Sequence, residues 1–140
     1  MEKKIWITGA SSGIGKAVAE KFAKEGWKVA ISARRKEILD EMAKNPNIFS
    51  FPLDVTQEDR VNEVFSKIME NFKDLDICFF CSGTYNPKYE QKIDTKKIKS
   101  TMDTNFLGTV NCVKSVESFF KNKKSGQISI VSSVAGYRGL

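Results

Sequence analysis

One stretch limits what this chain can fold into more than any other: Thr8-Gly9-Ala10-Ser11-Ser12-Gly13-Ile14-Gly15. A short apolar run, Lys4–Thr8, precedes it and reads as a strand. Behind it Ile14, Ala17, Val18, Phe22 and Ala23 recur at helical spacing, and Gly26 closes the helix. A strand that turns on glycines straight into a helix leaves the first helical N–H groups without partners. Small residues there let the backbone come close to a diphosphate, and the N–H groups meet its negative charge. Ser11 and Ser12 add hydroxyl donors. Gly9, Ser11, Ser12, Gly13, Ile14 and Gly15 are therefore candidate contacts for a phosphate-bearing ligand. The spacing is Gly-x-x-x-Gly-x-Gly rather than the commoner Gly-x-Gly-x-x-Gly. Its weight comes from the strand before it and the helix after it.

Strands and helices alternate along the rest of the chain. Lys28–Ala33 reads as a second strand. Ile38, Leu39, Met42 and Ala43 mark a short helix stopped by Asn45-Pro46. Asn47–Leu53 reads as a third strand and leads to Asp54-Val55. Thr56 is placed to cap the next helix, with Asp59 three residues on. Val61, Val64, Phe65, Ile68, Met69 and Phe72 form that helix's apolar stripe. Leu75–Cys81 is almost continuously apolar, as in a strand buried on both faces. After the polar, turn-rich Gly83–Thr95, one long helix is expected over about Lys96–Lys121, with Ile98, Met102, Phe106, Val110 and Val113 inward. Gly126 precedes a fifth strand, Gln127–Val131.

No repeat or linker divides the chain, and its 140 residues suit one domain, compact domains usually holding about 100–150. The alternation implies an α/β fold, a doubly wound parallel sheet with right-handed crossovers. The expected strand order is 3-2-1-4-5, reversing between strands one and four. A ligand belongs at the carboxyl ends of the strands there, in loops beginning near Thr8, Ala33, Asp54, Ser82 and Ser132.

Composition narrows the function. At 41% hydrophobic and 29% charged residues, a sizeable core is available and wholesale disorder is not expected. The net charge of +6 admits nucleic acid or a small anion as partner. The basic residues are spread out, however, and the small clusters Lys96/Lys97/Lys99 and Lys121/Lys123/Lys124 read as solvated helix faces and ends. No nucleic-acid partner is expected. Three cysteines argue against a disulfide framework and for a reducing compartment. The absence of histidine excludes a zinc site of mixed Cys and His ligands and any mechanism needing a His base; no metal site is expected. Cys78 and Cys81 form a Cys-x-x-Cys inside a strand, where residues three apart face opposite sides. A redox pair belongs at a helix start, so both read as packed thiols. No apolar run nears the ~20 residues of a membrane span, and Ile5-Trp6-Ile7 is too short for a signal-peptide core. The expectation is a cytoplasmic protein with no membrane partner.

The glycine-rich octapeptide resembles the cofactor-binding motif of the short-chain dehydrogenase/reductase family, and more of that family's pattern follows in order. Asp54-Val55 resembles the acidic position that contacts the adenine ring. Cys81-Ser82-Gly83 falls where the family usually has Asn-Ala-Gly, with Cys81 the departure. Asn105, in Thr104-Asn105-Phe106-Leu107-Gly108, resembles the active-site asparagine. Ile130-Val131-Ser132-Ser133-Val134-Ala135-Gly136 resembles the catalytic-serine segment, making Ser133 the candidate catalytic serine. The resemblance runs from Ile5 to Leu140. It implies a Rossmann-type fold, a nicotinamide cofactor, and hydride transfer to or from a small-molecule carbonyl or alcohol. Helical spacing alone allows a plainer reading of Asn105, as a buried, hydrogen-bonded asparagine. Ser133 alone could be a turn residue.

Rossmann domains that bind NAD usually end strand two on an acid that holds the ribose 2′-hydroxyl. Here that stretch is Ile31-Ser32-Ala33-Arg34-Arg35-Lys36, with no acid and two arginines. Arginine pairs with phosphate in two-pronged fashion and stacks on adenine. The expectation is NADP(H), with Arg34 as the main 2′-phosphate contact and Arg35 as helper; arginines capping a surface turn are the alternative. The family also uses a Tyr-x-x-x-Lys pair, placed beyond the serine. No tyrosine of this sequence has a lysine four residues after it, and Tyr137 stands too close to Ser133. The resemblance thus implies that the chain lacks the central acid/base pair, the last strands of the family sheet and most of the substrate site. Expected consequences are no turnover by these residues alone, an exposed edge at strand five, and homo-oligomer formation. A non-catalytic NADP(H)-binding or interaction protein is the competing expectation.

Overall fold

Five strands lie parallel in one sheet: β1 (Lys4–Thr8), β2 (Lys28–Ser32), β3 (Ile48–Ser50), β4 (Ile77–Phe80) and β5 (Gln127–Ile130). Their order is β3-β2-β1-β4-β5, the order expected from the alternation of elements. The structure is a computed structural model that describes residues 2–85 and 93–138. Part of the polar segment expected over Gly83–Thr95 therefore lies outside the described residues.

Alternation along β1 divides the core. Ile5 and Ile7 face α1 (Gly13–Lys24) and α2 (Lys36–Met42), with Ala19, Ala23, Leu39 and Met42 against them. Trp6 faces the other way, into the cluster built from Val61, Val64 and Ile68 of α3 (Glu58–Phe72) and Cys112 and Val116 of α5 (Gly108–Lys123). Trp6 stacks on Phe65 at 6.0 Å and meets Phe80 edge-on at 5.5 Å. Its indole N–H donates to Ser32 Oγ at 3.0 Å, so its one polar atom is satisfied in the core. Helices thus cover both faces of a parallel sheet, which is the Rossmann-type arrangement.

Three expectations about local structure are corrected. The third strand is shorter than Asn47–Leu53. Pro52 has no N–H to give the ladder, and only single bonds, Phe51 N–H to Ile31 O and Leu53 N–H to Ala33 O, continue it at 2.9 Å each. Thr56 does not cap α3. Its hydroxyl is spent on Asp54 Oδ1 at 2.8 Å, and Gln57 stands at the cap position without a side-chain bond.

The single long helix is in fact α4 (Thr95–Met102), a π turn (Asp103–Leu107) and α5. A π turn carries an extra residue, so the two halves no longer share one 3.6-residue phase. Ile98, Met102, Phe106 and Val110, expected inward, are about half exposed or more than two-fifths exposed (53%, 51%, 56% and 43%). Of that set only Val113 packs against the core, beside Cys112 and Val116.

Candidate functional site

A cavity of about 480 Å³ opens at the carboxyl ends of the strands, beside the β1/β4 reversal. Gly9, Ser11, Ser12 and Ile14 line it from the loop after β1. Ala33, Arg34 and Arg35 follow β2, while Leu53, Asp54 and Val55 follow β3. Cys81, Ser82 and Gly83 follow β4, and Thr104 and Val131 complete the wall. The structure thus brings the sequence-predicted cofactor residues together, except Gly13 and Gly15, which do not line the cavity. Ala33, Leu53, Thr104 and Val131 were not named as contacts by sequence, although Ala33 marks a loop expected at the ligand and Thr104 and Val131 lie in the segments that carry the family resemblance.

The loop requires glycine at two places. Gly9 has φ +69°, and a Cβ there would lie 2.6 Å from the Cys81 carbonyl oxygen. At Gly15 a Cβ would run into the Gly9 carbonyl. The loop, the first turn of α1 and the end of β4 are therefore in backbone contact, a closeness only glycine permits. Ser12, at the N-cap of α1, makes no side-chain cap bond. The end of β4 is held by the Cys81 N–H, which donates to Thr8 Oγ1 at 3.3 Å. Burial pushes the Cys81 thiol above its ordinary pKa, opposed by a hydrogen bond from the Gly15 backbone.

The two arginines have separate commitments. Arg35 donates from Nε and Nη2 to Ser11 Oγ, at 3.2 and 2.9 Å, and from Nη2 to Ser12 Oγ at 2.9 Å. It binds the β2 loop to the glycine loop. Arg34 makes no hydrogen bond or ion pair among the described residues, and its side chain lines the cavity. Asp54 Oδ1 accepts from the Thr56 N–H at 3.0 Å as well as from its hydroxyl. Asn111 Nδ2 donates to the Val55 carbonyl at 3.0 Å, fastening Asp54-Val55 to α5.

Asn105 sits in the π turn and is exposed, so the plainer reading of a buried asparagine is corrected. Its Oδ1 accepts from the Thr84 N–H at 2.7 Å, and its Nδ2 donates to the Thr84 carbonyl at 2.9 Å. This reciprocal pair clamps the loop after β4. Ser133 follows β5 and caps a 3₁₀ turn (Val134–Gly136), its Oγ accepting from the Ala135 N–H at 3.1 Å. Neither side chain lines the cavity, though each lies within two residues of one that does, Thr104 and Val131.

A parallel sheet reversing at β1/β4, with a glycine turn packed under its carboxyl ends, defines a Rossmann-type α/β protein. The chain belongs to the short chain dehydrogenase family, whose model matches residues 3–140. It is similar to the 3-oxoacyl-[acyl-carrier-protein] reductase FabG of Staphylococcus epidermidis, 27% identical over 99% of this chain and 59% of that protein. An uncharacterized oxidoreductase of Staphylococcus saprophyticus is 30% identical over 97% of this chain and 61% of that protein. Among solved structures, ElxO with NADP bound superposes with a TM-score of 0.92 at 32% identity, covering 100% of this chain and 59% of that one. Serine dehydrogenase from Escherichia coli shares the fold, with a TM-score of 0.88 at 24% identity, covering 98% of this chain and 65% of that one. The chain spans about three-fifths of the length of the curated relatives it matches.

Proposed function

We propose that this chain binds NADP(H) and serves hydride transfer between the nicotinamide and a small-molecule carbonyl or alcohol. The observation that carries the reading is Arg34. Among the described residues it has no hydrogen bond or ion pair, and it lines the cavity at the strand end where an acid would select the 2′-hydroxyl of NAD. The glycine loop fits the rest of a dinucleotide, because its backbone approaches where any Cβ would intrude. The ElxO structure has NADP bound and lends support at 32% identity.

When bound, the nicotinamide supplies or accepts the hydride. The protein's own part is positioning. Arg35 holds Ser11 and Ser12 at the phosphate end. Asn105 holds the Gly83-Thr84 loop at the other end. The Ser133 oxygen accepts from Ala135, which leaves its O–H proton to donate to a reacting oxygen. No Tyr-x-x-x-Lys pair is present to move the hydroxyl proton, so we expect these residues alone to bind cofactor without turnover. We place the protein in the cytoplasm, and no helix among the described residues is long and apolar enough to cross a membrane.

The test is a thermal melt with and without excess NADPH or NADH. A ligand that binds only the folded state stabilises it by about 2.7 kcal/mol at a hundred-fold excess over its Kd. A larger rise with NADPH is the expected result. Equal rises would remove the NADP(H) preference, and no rise with either would remove the cofactor site.

A further inference from the structure

A second cavity, of about 310 Å³, continues the first and shares Arg34, Asp54 and Thr104 with it. Its far wall is α4 with the π turn, which contribute Lys96, Lys99 and Asp103. The lysine cluster that reads in sequence as a solvated helix face therefore turns two of its members toward Arg34.

The charges of this cavity are unequally spent. Lys99 Nζ pairs with Asp103 Oδ2 at 2.7 Å. Asp54 Oδ1 accepts from the amide and hydroxyl of Thr56, which orient its carboxylate without neutralising it. Arg35, the sequence neighbour of Arg34, is occupied by Ser11 and Ser12. Among the described residues, the Arg34 guanidinium and the Lys96 ammonium have no ion-pair partner. Lys96 also has an ordered root, because its N–H donates to the N-cap carboxylate of Asp94 at 3.0 Å.

We propose that Lys96 is the second cation of the 2′-phosphate site. Selection of the phosphorylated cofactor then rests on Arg34 from the β2 loop and Lys96 from α4, which face one cavity, rather than on the adjacent pair Arg34 and Arg35. A phosphate monoester carries close to two negative charges near neutral pH. An arginine fork pairs with its oxygens in plane, and an ammonium adds a compact point charge from the other side. The inference rests on the NADP(H) reading above.

The experiment is calorimetric titration of the protein with NADPH and NADH, for wild type, Lys96→Gln, Lys96→Arg and Lys97→Gln. Removing one charge-assisted contact should weaken NADPH about tenfold and leave NADH within about twofold. Lys96→Arg should restore most of the NADPH affinity. Lys97→Gln removes the same charge from the same helix without lining the cavity, and should change neither. If the wild type prefers NADPH while Lys96→Gln leaves both nucleotides unchanged, or weakens both equally, the Lys96 assignment falls and the cofactor reading stands. If the wild type does not prefer NADPH, the cofactor reading falls and takes the assignment with it.

Discussion

Arg34 and Arg35 show how far residue type alone can carry an argument. Their identities and the missing acid are plain in the sequence. Their division of labour is not, because it depends on where Ser11 and Ser12 stand after the chain has turned on Gly9. Arg35 is bonded to the glycine loop, while Arg34 has no hydrogen bond or ion pair among the described residues and lines the cavity. Arg34→Ala should therefore weaken NADPH by roughly 10- to 100-fold, the worth of a charged hydrogen-bonded contact, with little change for NADH. Arg35→Ala should weaken both nucleotides, since it frees the loop that both would use. Equilibrium titration of the two variants separates these roles. Equal losses of NADPH and NADH in Arg34→Ala would sink the assignment of Arg34 to the 2′-phosphate.

At the scale of elements, strands β1 and β2 were legible because they are buried on both faces and read as apolar runs, and β4 was legible as an apolar run although Ile77 and Phe79 are only partly buried. The stripe of α3 was legible for the same kind of reason, with Val61, Val64, Ile68 and Phe72 all buried. The π turn was not legible. Nothing in Asp103–Leu107 announces an extra residue in a helical turn, and Ile98 and Met102 before it are exposed as Phe106 and Val110 are. Of the Cys-x-x-Cys, Cys78 is packed in the core as the strand reading expects, whereas Cys81 lies just past the end of β4, only partly buried on the cavity wall. Cys78 on β4 and Cys112 on α5 meet in that core and titrate accordingly. Burial pushes Cys112 up to about 12 and Cys78 higher still, with Cys112 adding to the rise. Unfolded thiols lose their protons near pH ~8.5. Above that pH the unfolded chain sheds protons that the folded chain keeps, so stability is level below it and falls as pH rises. The slope is about 1.4 kcal/mol per pH unit for each thiol. Urea unfolding midpoints should hold steady from neutral pH and then drop on the alkaline side. Cys112→Ala should lower stability at neutral pH but flatten that alkaline decline. An unchanged alkaline slope in the variant would show that the thiols do not cause it.

For the whole molecule, the uneven cover of the sheet is the governing feature. Helices α1 and α2 bury Ile5, Ile7, Val29 and Ile31 completely, yet Ile77 and Phe79 of β4 are only partly buried on that side. Strand β5 is the outer strand, with Ile130 54% exposed. Ile98, Met102, Phe106 and Val110 recur every four residues along α4, the π turn and α5 and are all exposed. Scattered exposed apolar residues are ordinary, but a run of this kind favours association, as does an outer strand. The predicted occupant is a second copy of the chain, which carries the same stripe and can bury it about a two-fold axis. Sedimentation velocity should show a species heavier than the 15.8 kDa chain, growing with protein concentration. The double variant Met102→Lys with Phe106→Lys places two ammonium groups on each stripe, where a two-fold contact would bring like charges together. It should keep its circular dichroism spectrum, because neither side chain belongs to the core clusters, and sediment as a monomer. A wild-type chain that stays monomeric at every concentration would refute the stripe as a contact surface. A double variant that still associates would move the contact to the edge of β5.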